Sequence, residues 1–201
     1  MKPRLDLAHD HIGLKRKTRI MPMRTALKIG SVLLFCITLA ACSYSNSSKT
    51  YNFLNKFDSG SITPASEPST PTGKPVLVLP DFMVDGEKRQ AMITLASAKI
   101  GFRLSGLGKH ATLKFGVGMN TTLGDGAEGI ITVKADKKSE VVYRRFLNPV
   151  DRAEDRKWFE ESVDLSKFAG KSIQIIFETN PGPKGDGVGD WFAWSNPVLN
   201  K

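Results

Sequence analysis

Residues 171–180 read "KSIQIIFETN". Ile173, Ile175 and Phe177 recur at every second position, with Gln174 between the first two. That period belongs to an extended chain, whose side chains alternate between faces; a helix would repeat its apolar residues every three to four. Before the stretch, "LSKFAG" (165–170) is long enough for one short helical turn. Ser166 would cap that turn and Gly170 would stop it. After the stretch comes "NPGP" (180–183), where each proline removes a ladder donor and Gly182 offers a tight turn. The segment therefore reads as a half-buried strand between two turns.

The same alternation recurs on either side. "AKIGFRLSG" (98–106) puts Ile100, Phe102 and Leu104 on one face. "ATLKFGVGM" (111–119) does so with Leu113, Phe115 and Val117, Lys114 lying opposite. "PVLVLPDFM" (75–83), "RQAMITLA" (89–96), "GIITVKAD" (129–136), "EVVYRRF" (140–146), "KWFEESVDL" (157–165) and "DWFAWSNPVL" (190–199) complete the set of strands. Glycine and proline turns punctuate them. No stretch carries the period of a long amphipathic helix. Isolated strand pairs are unstable in water, so each sheet must hide one face against another. An all-β jelly-roll β-sandwich is the economical solution.

The front of the chain has a different character. "IGSVLLFCITLAA" (29–41) is almost wholly apolar and follows Arg24 and Lys28. It has signal-peptide length and falls short of the ~20 residues a membrane span needs. The run ends in "LAAC" (39–42), which resembles the lipobox of bacterial lipoproteins. That resemblance implies cleavage before Cys42 and a lipid on its thiol, so residues 1–41 are expected to be removed. The alternative is an uncleaved anchor with an incidental cysteine. Met21 and Met23 are both plausible starts, because residues 1–20 make the basic leader unusually long. Cys36 would be lost with the leader, leaving no disulfide in the mature chain. Ser43 after the lipid cysteine resembles the pattern that permits outer-membrane sorting. The expected location is the bacterial cell envelope.

Processing also removes most of the charge. The whole chain of 201 residues carries +9, but residues 42–201 hold 21 basic and 18 acidic side chains, net +3. That balance gives little reason to expect a nucleic-acid partner. Residues 42–73 hold the lipidated cysteine and a segment rich in Ser, Thr, Pro and Asn. Such a composition buries little apolar surface and reads as a tether. Alternatively, Tyr51, Phe53, Leu54 and Phe57 dock on the domain. On the composition, the sandwich is expected over residues 74–201.

Three stretches, "ATLKFGVGMN" (111–120), "WFEESVDLSKFAGKSIQIIFETNPGP" (158–183) and "DWFAWSNPVL" (190–199), resemble the galactose-binding-like jelly rolls appended to bacterial sulfatases, glycosidases and polysaccharide-related membrane proteins. The matching residues include Trp158, Asp164, Leu165, Ser166, Gly170, Thr179, Pro181, Gly182, Asp190, Trp191, Trp194 and Pro197, and "GDGAEGIITV" (124–133) matches a further loop and strand. The likeness covers about residues 89–200 and implies the fold more firmly than any ligand. Members of that family often carry one structural calcium, and some bind sugars.

The loop "NPGPKGDGVGDWFAW" (180–194) is the natural place for a site. Asp186 and Asp190, with Asp125 and Glu128 from "GDGAEG", are the candidate calcium ligands. The competing reading has these carboxylates accept backbone N–H bonds at turns, as expected also of Asp164. Trp191 and Trp194 are three apart, so one faces inward and the other outward. Trp194 is the candidate sugar-stacking platform, or else a large hydrophobe closing the sandwich. Asn120, Asp125, Arg145 and Asp186 are the candidate polar partners for a sugar. Arg144 and Arg145 point to opposite faces, and the inward one needs an acid such as Asp151 or Asp155.

Catalysis is the weakest class. His110 is the one histidine after Cys42, so no zinc-type histidine cluster exists there. There is no GxSxG elbow, and "GLGKHA" (106–111) lacks phosphate-loop spacing. The sequence therefore points to a lipid-anchored, non-catalytic carbohydrate-binding protein. The alternative is a structural or protein-interaction lipoprotein without a sugar site.

Overall fold

The computed structural model describes residues 50–63, 73–120, 123–185 and 187–201. Residues 1–41, expected to be a signal peptide, Cys42, expected to carry the lipid, and Asp186 lie outside the described residues. Ser45–Lys201 forms one compact unit of the chain.

Period two places the apolar residues as expected: Ile173, Ile175 and Phe177, Ile100, Phe102 and Leu104, and Leu113, Phe115 and Val117 all lie in one buried core. The strands that carry them are β1 (Thr50–Asn52), β2 (Ser61–Thr63), β3 (Val76–Val84), β4 (Glu87–Leu95), β5 (Lys99–Leu104), β6 (Thr112–Met119), β7 (Ala127–Ala135), β8 (Lys138–Leu147), β9 (Phe159–Asp164), β10 (Ile173–Pro181) and β11 (Trp191–Asn200). They form two antiparallel sheets. One runs β3-β4-β11-β6-β9, with β1 added to the last residues of β11; the other runs β2-β5-β10-β7-β8. The core fills the space between their inner faces. Two of the connections are two-residue hairpins whose residues sit at positive φ: Asp85–Gly86 and Asp136–Lys137. Such turns match the natural twist of paired strands.

Antiparallel pairing sorts the connections to two ends. Thr50 pairs with Asn200, and Asn200 with Thr112. The segments 105–111, 136–137 and 165–172 leave from that same entry end. The segments 120–126, 148–158 and 182–190 leave from the opposite end.

The domain begins earlier than composition suggests. Residues 50–63 were expected to belong to the tether, yet β1 and β2 are strands of the two sheets. Between them Phe53 is wholly buried, its ring edge-on to Phe102 at 5.0 Å and to Phe177 at 5.2 Å. Leu54 is buried beside it. A strand added by backbone bonds to a sheet edge needs few apolar residues, so all three residues of β2 are exposed. The alternative reading of this segment holds: Phe53 and Leu54 lie in the core, and Tyr51 and Phe57 pack against it.

A second, smaller cluster covers the outer face of the first sheet. Beyond a register shift between Leu79 and Phe82, the β3–β4 hairpin folds onto that face, and Phe82 and Val84 pack with Trp158. The Trp158 indole donates to the Glu87 carbonyl at 3.1 Å. Gly118 makes room for this packing, since a Cβ there would meet Trp158 and Val84 at 3.0 Å.

The turn at 165–170 is a single 3-10 turn, Ser166–Phe168. Ser166 does not cap it. The Asp164 carboxylate accepts from the Ser166 backbone N–H at 2.8 Å and from its hydroxyl at 3.0 Å. These bonds hold the Asp164 carboxyl below the usual carboxylate range.

Candidate functional site

The loops of the opposite end carry most of the residues singled out from the sequence, but they do not converge on one site. Asp190 is wholly buried and its Oδ2 accepts from Gly182 N at 3.1 Å. Asp125 is buried and its Oδ2 accepts from Lys184 N at 2.5 Å. Asp190 closes the 182–190 loop on itself, and Asp125 ties that loop to the 123–126 loop. The approach is close: a Cβ on Gly182 would lie 2.3 Å from Asp125 Oδ1.

Calcium fits this arrangement poorly. Asp125 Oδ1 is buried without a hydrogen bond, which is what a cation would relieve. Glu128, however, is taken elsewhere: both its oxygens accept from Arg144 Nη1, at 2.9 and 3.0 Å. Among the described residues no three carboxylate, histidine or cysteine side chains gather. The expected set of Asp125, Glu128, Asp186 and Asp190 is thus not assembled from its described members. Asp125 and Asp190 instead serve the backbone, the alternative weighed for them.

Trp194 is a correction. It is 0% exposed and packs against Phe192, Phe177 and Phe115 at ring separations of 4.8, 5.2 and 5.9 Å. Its indole donates to Thr94 Oγ1 at 2.9 Å. Strand parity turns Trp194 inward with Phe192, while Ala193 joins the outer cluster and Trp191 is half-buried against it. No face of Trp194 is open to a sugar.

Arg145 is a correction of a different kind. It pairs with Glu161 Oε1 at 2.6 Å, and its guanidinium lies 3.6 Å from the centre of the Phe159 ring. Glu161 belongs to β9 and Arg145 to β8, the edge strands of the two sheets, so the pair bridges the sandwich. Asp151 and Asp155, the acids expected for it, bond instead to Asn148. Beside the pair, Tyr143 is pushed above its ordinary pKa by burial and by the Glu161 carboxylate.

Asn120 is a sugar candidate that lines an open cleft. It lines a cleft of about 370 Å³ with Val84, Asp85, Met119, Pro149, Val150 and Arg156. Arg156 shapes the wall: its Nε donates to the Pro149 carbonyl at 2.6 Å and its Nη2 to the Val150 carbonyl at 2.9 Å. A guanidinium has five donors, so three remain for a ligand. Asp85 stands in the hairpin turn, exposed and at φ 49°. The cleft combines apolar Val84, Met119, Pro149 and Val150 with one amide, one carboxylate and one guanidinium. Sequence reasoning missed Asp85 and Arg156. "DG" between two apolar runs is a hairpin signal that locates Asp85; nothing local marks Arg156, whose place depends on the 148–156 loop folding back.

No family model matches the chain. An uncharacterized protein of Archaeoglobus fulgidus is 33% identical over 96 residues, which is 45% of this chain and 24% of that protein. The chain thus spans about a quarter of the length of that curated relative. Among solved structures, the K3 cleaved adhesin domain of Lys-gingipain from Porphyromonas gingivalis W83 superposes with a TM-score of 0.50 at 14% identity, over 75% of this chain and 97% of that one. CBM51 from Clostridium perfringens GH95, solved with methyl-galactose, gives a TM-score of 0.47 at 18% identity, over 75% and 99%. TmCBM61, solved with β-1,4-galactotriose, gives 0.46 at 10% identity, over 75% and 94%. At such identities the likeness is one of fold. The protein is an all-β jelly-roll sandwich of two antiparallel sheets.

Proposed function

We propose that this protein is a lipid-anchored envelope protein whose sandwich binds a carbohydrate without transforming it. The cleft at Asn120 carries the reading. A sugar presents C–H faces and a ring of hydroxyls; Val84, Met119 and Val150 suit the first, and Asn120, Asp85 and Arg156 suit the second. The cleft's volume, about 370 Å³, suits one or two sugar rings.

The test is a glycan-array screen on residues 45–201, repeated with Asn120→Ala and Arg156→Ala. Each lost hydrogen bond is expected to weaken binding by roughly threefold to tenfold. Loss of signal with an unchanged melt supports the cleft. Hits that survive both substitutions place the sugar elsewhere.

One observation favours a second reading, a protein partner and no sugar. Trp158 and Trp194 are both buried, so neither offers the open aromatic face on which sugars commonly stack. A folded protein that binds no glycan on a broad array moves the weight to that reading.

Anchoring is tested separately through Cys42. Cys42→Ser is expected to block processing or release the protein from membranes. A cleaved, membrane-retained Cys42→Ser variant counts against the lipid anchor.

A further inference from the structure

The entry end of the sandwich is strongly basic. A cleft of about 470 Å³ there is lined by Arg103, Lys134 and Lys137 around Asp136. A neighbouring hollow of about 240 Å³ adds Lys138, Lys167 and Lys171, with Glu140 and again Asp136. Six cations thus face two carboxylates. The surplus of four exceeds the +3 of all residues 42–201, so the rest of the domain is close to neutral. Lys171 is paired with Asp136 and Lys167 with Glu140. Arg103, Lys134, Lys137 and Lys138 enter no ion pair among the described residues.

The chain enters at this same end. Thr50 pairs with Asn200, and the next residue, Lys201, donates from Nζ to the carbonyl of Ser105 at 3.2 Å. Ser105 lines the basic cleft. Cys42 is eight residues before Thr50, a reach of at most about 29 Å of extended chain. A lipid at Cys42 would therefore have this end as its nearest part of the domain along the chain.

We propose that the basic entry end rests on a membrane surface of anionic lipid headgroups. The inference rests on the reading of Cys42 as the lipid anchor. Phosphate headgroups attract juxtamembrane Lys and Arg, and the attraction fades within about 8 Å at physiological salt. A tether of at most about 29 Å keeps the cations near the surface, where they sample that range at high effective concentration. A fatty-acyl anchor and a basic patch are the usual pair of signals for stable attachment. The placement of the tether favours a lipid surface over nucleic acid or an anionic polysaccharide, neither of which it would bring to this end.

The test uses residues 45–201, which form a compact unit and lack the anchor. Co-sedimentation is measured with vesicles containing phosphatidylglycerol and with pure phosphatidylcholine vesicles. Binding to the first only, weakened by salt, is expected. The exposed residues Arg103, Lys134 and Lys138 are then changed together to Gln. At roughly fivefold per cation, this should weaken vesicle binding about a hundredfold without altering the melt. Lys88, Lys157 and Lys184, exposed elsewhere, changed together to Gln should leave binding nearly intact. No binding to anionic vesicles overturns the proposal, as does equal loss in both triple variants. Tighter binding to DNA or heparin than to vesicles overturns the choice of lipid. The anchor reading is judged apart, by the processing of full-chain Cys42→Ser. Normal processing and lipidation of the wild-type chain with no vesicle binding would sink the surface alone.

Discussion

Trp194 shows how one side chain is committed twice, by its volume and by its single donor. Truncation to Ala should cost about 3–5 kcal/mol by emptying the aromatic cluster, whereas Trp194→Phe should cost less, since it keeps a ring and loses the bond to Thr94. Denaturant melts of both variants check this, and near-equal losses would show that the ring volume is not what matters. Tyr143 makes a pH prediction. Its hydroxyl is buried, and that burial and the nearby Glu161 carboxylate raise its pKa in the fold. The folded state therefore holds the phenolic proton more tightly than the unfolded chain, which releases it near pH ~10. This contribution to stability is complete below that pH and is lost as pH rises beyond it toward the raised folded value. Alkaline melts should fall more steeply for the wild type than for Tyr143→Phe. Parity put Trp191 and Trp194 on opposite faces but did not say which was inward; Trp194 takes the core side with Phe192. The partner of Arg145 was not legible. It depends on where the edges of two sheets meet, and no spacing along the chain encodes that.

Strands were the most legible feature of the sequence. All nine segments read from alternation, 75–83 through 190–199, became strands with ends shifted by a few residues. Period two survives because each sheet has one face in the core, so a slip of one residue would expose every apolar side chain on that strand. β1 and β2 were not read, because three-residue edge strands bond through the backbone and leave little pattern. Phe53 between them is the test of their worth. Phe53→Ala should destabilise residues 45–201 by about 3–5 kcal/mol. A loss below about 0.5 kcal/mol, within the range of surface changes, would return residues 50–63 to the tether. The candidate cleft falls between these extremes. Asn120 was visible as a polar residue ending an apolar strand; the floor it shares with Val84 exists only because a hairpin folds across the outside of its own sheet.

The sandwich is polar in two senses: cations crowd the end where the chain enters, and the open cleft that Asn120 lines is at the other. β6 joins them, running from Thr112 to Met119, about 25 Å of strand. Under the proposed anchoring, a ligand at Asn120 would be held on the far side of the domain from the bilayer. This arrangement gives Phe53 a further consequence. Any pull between a fixed lipid and a held ligand would run along the strands and through β1. Because β1 lies antiparallel along β11, its bonds would be loaded together in shear and would not peel one at a time. Phe53, hooked between Phe102 and Phe177 just inside that strand, would have to be dragged through packed rings before the domain could yield. Under that anchoring the first strand of the fold would act as a mechanical latch, set by a ring buried in the core.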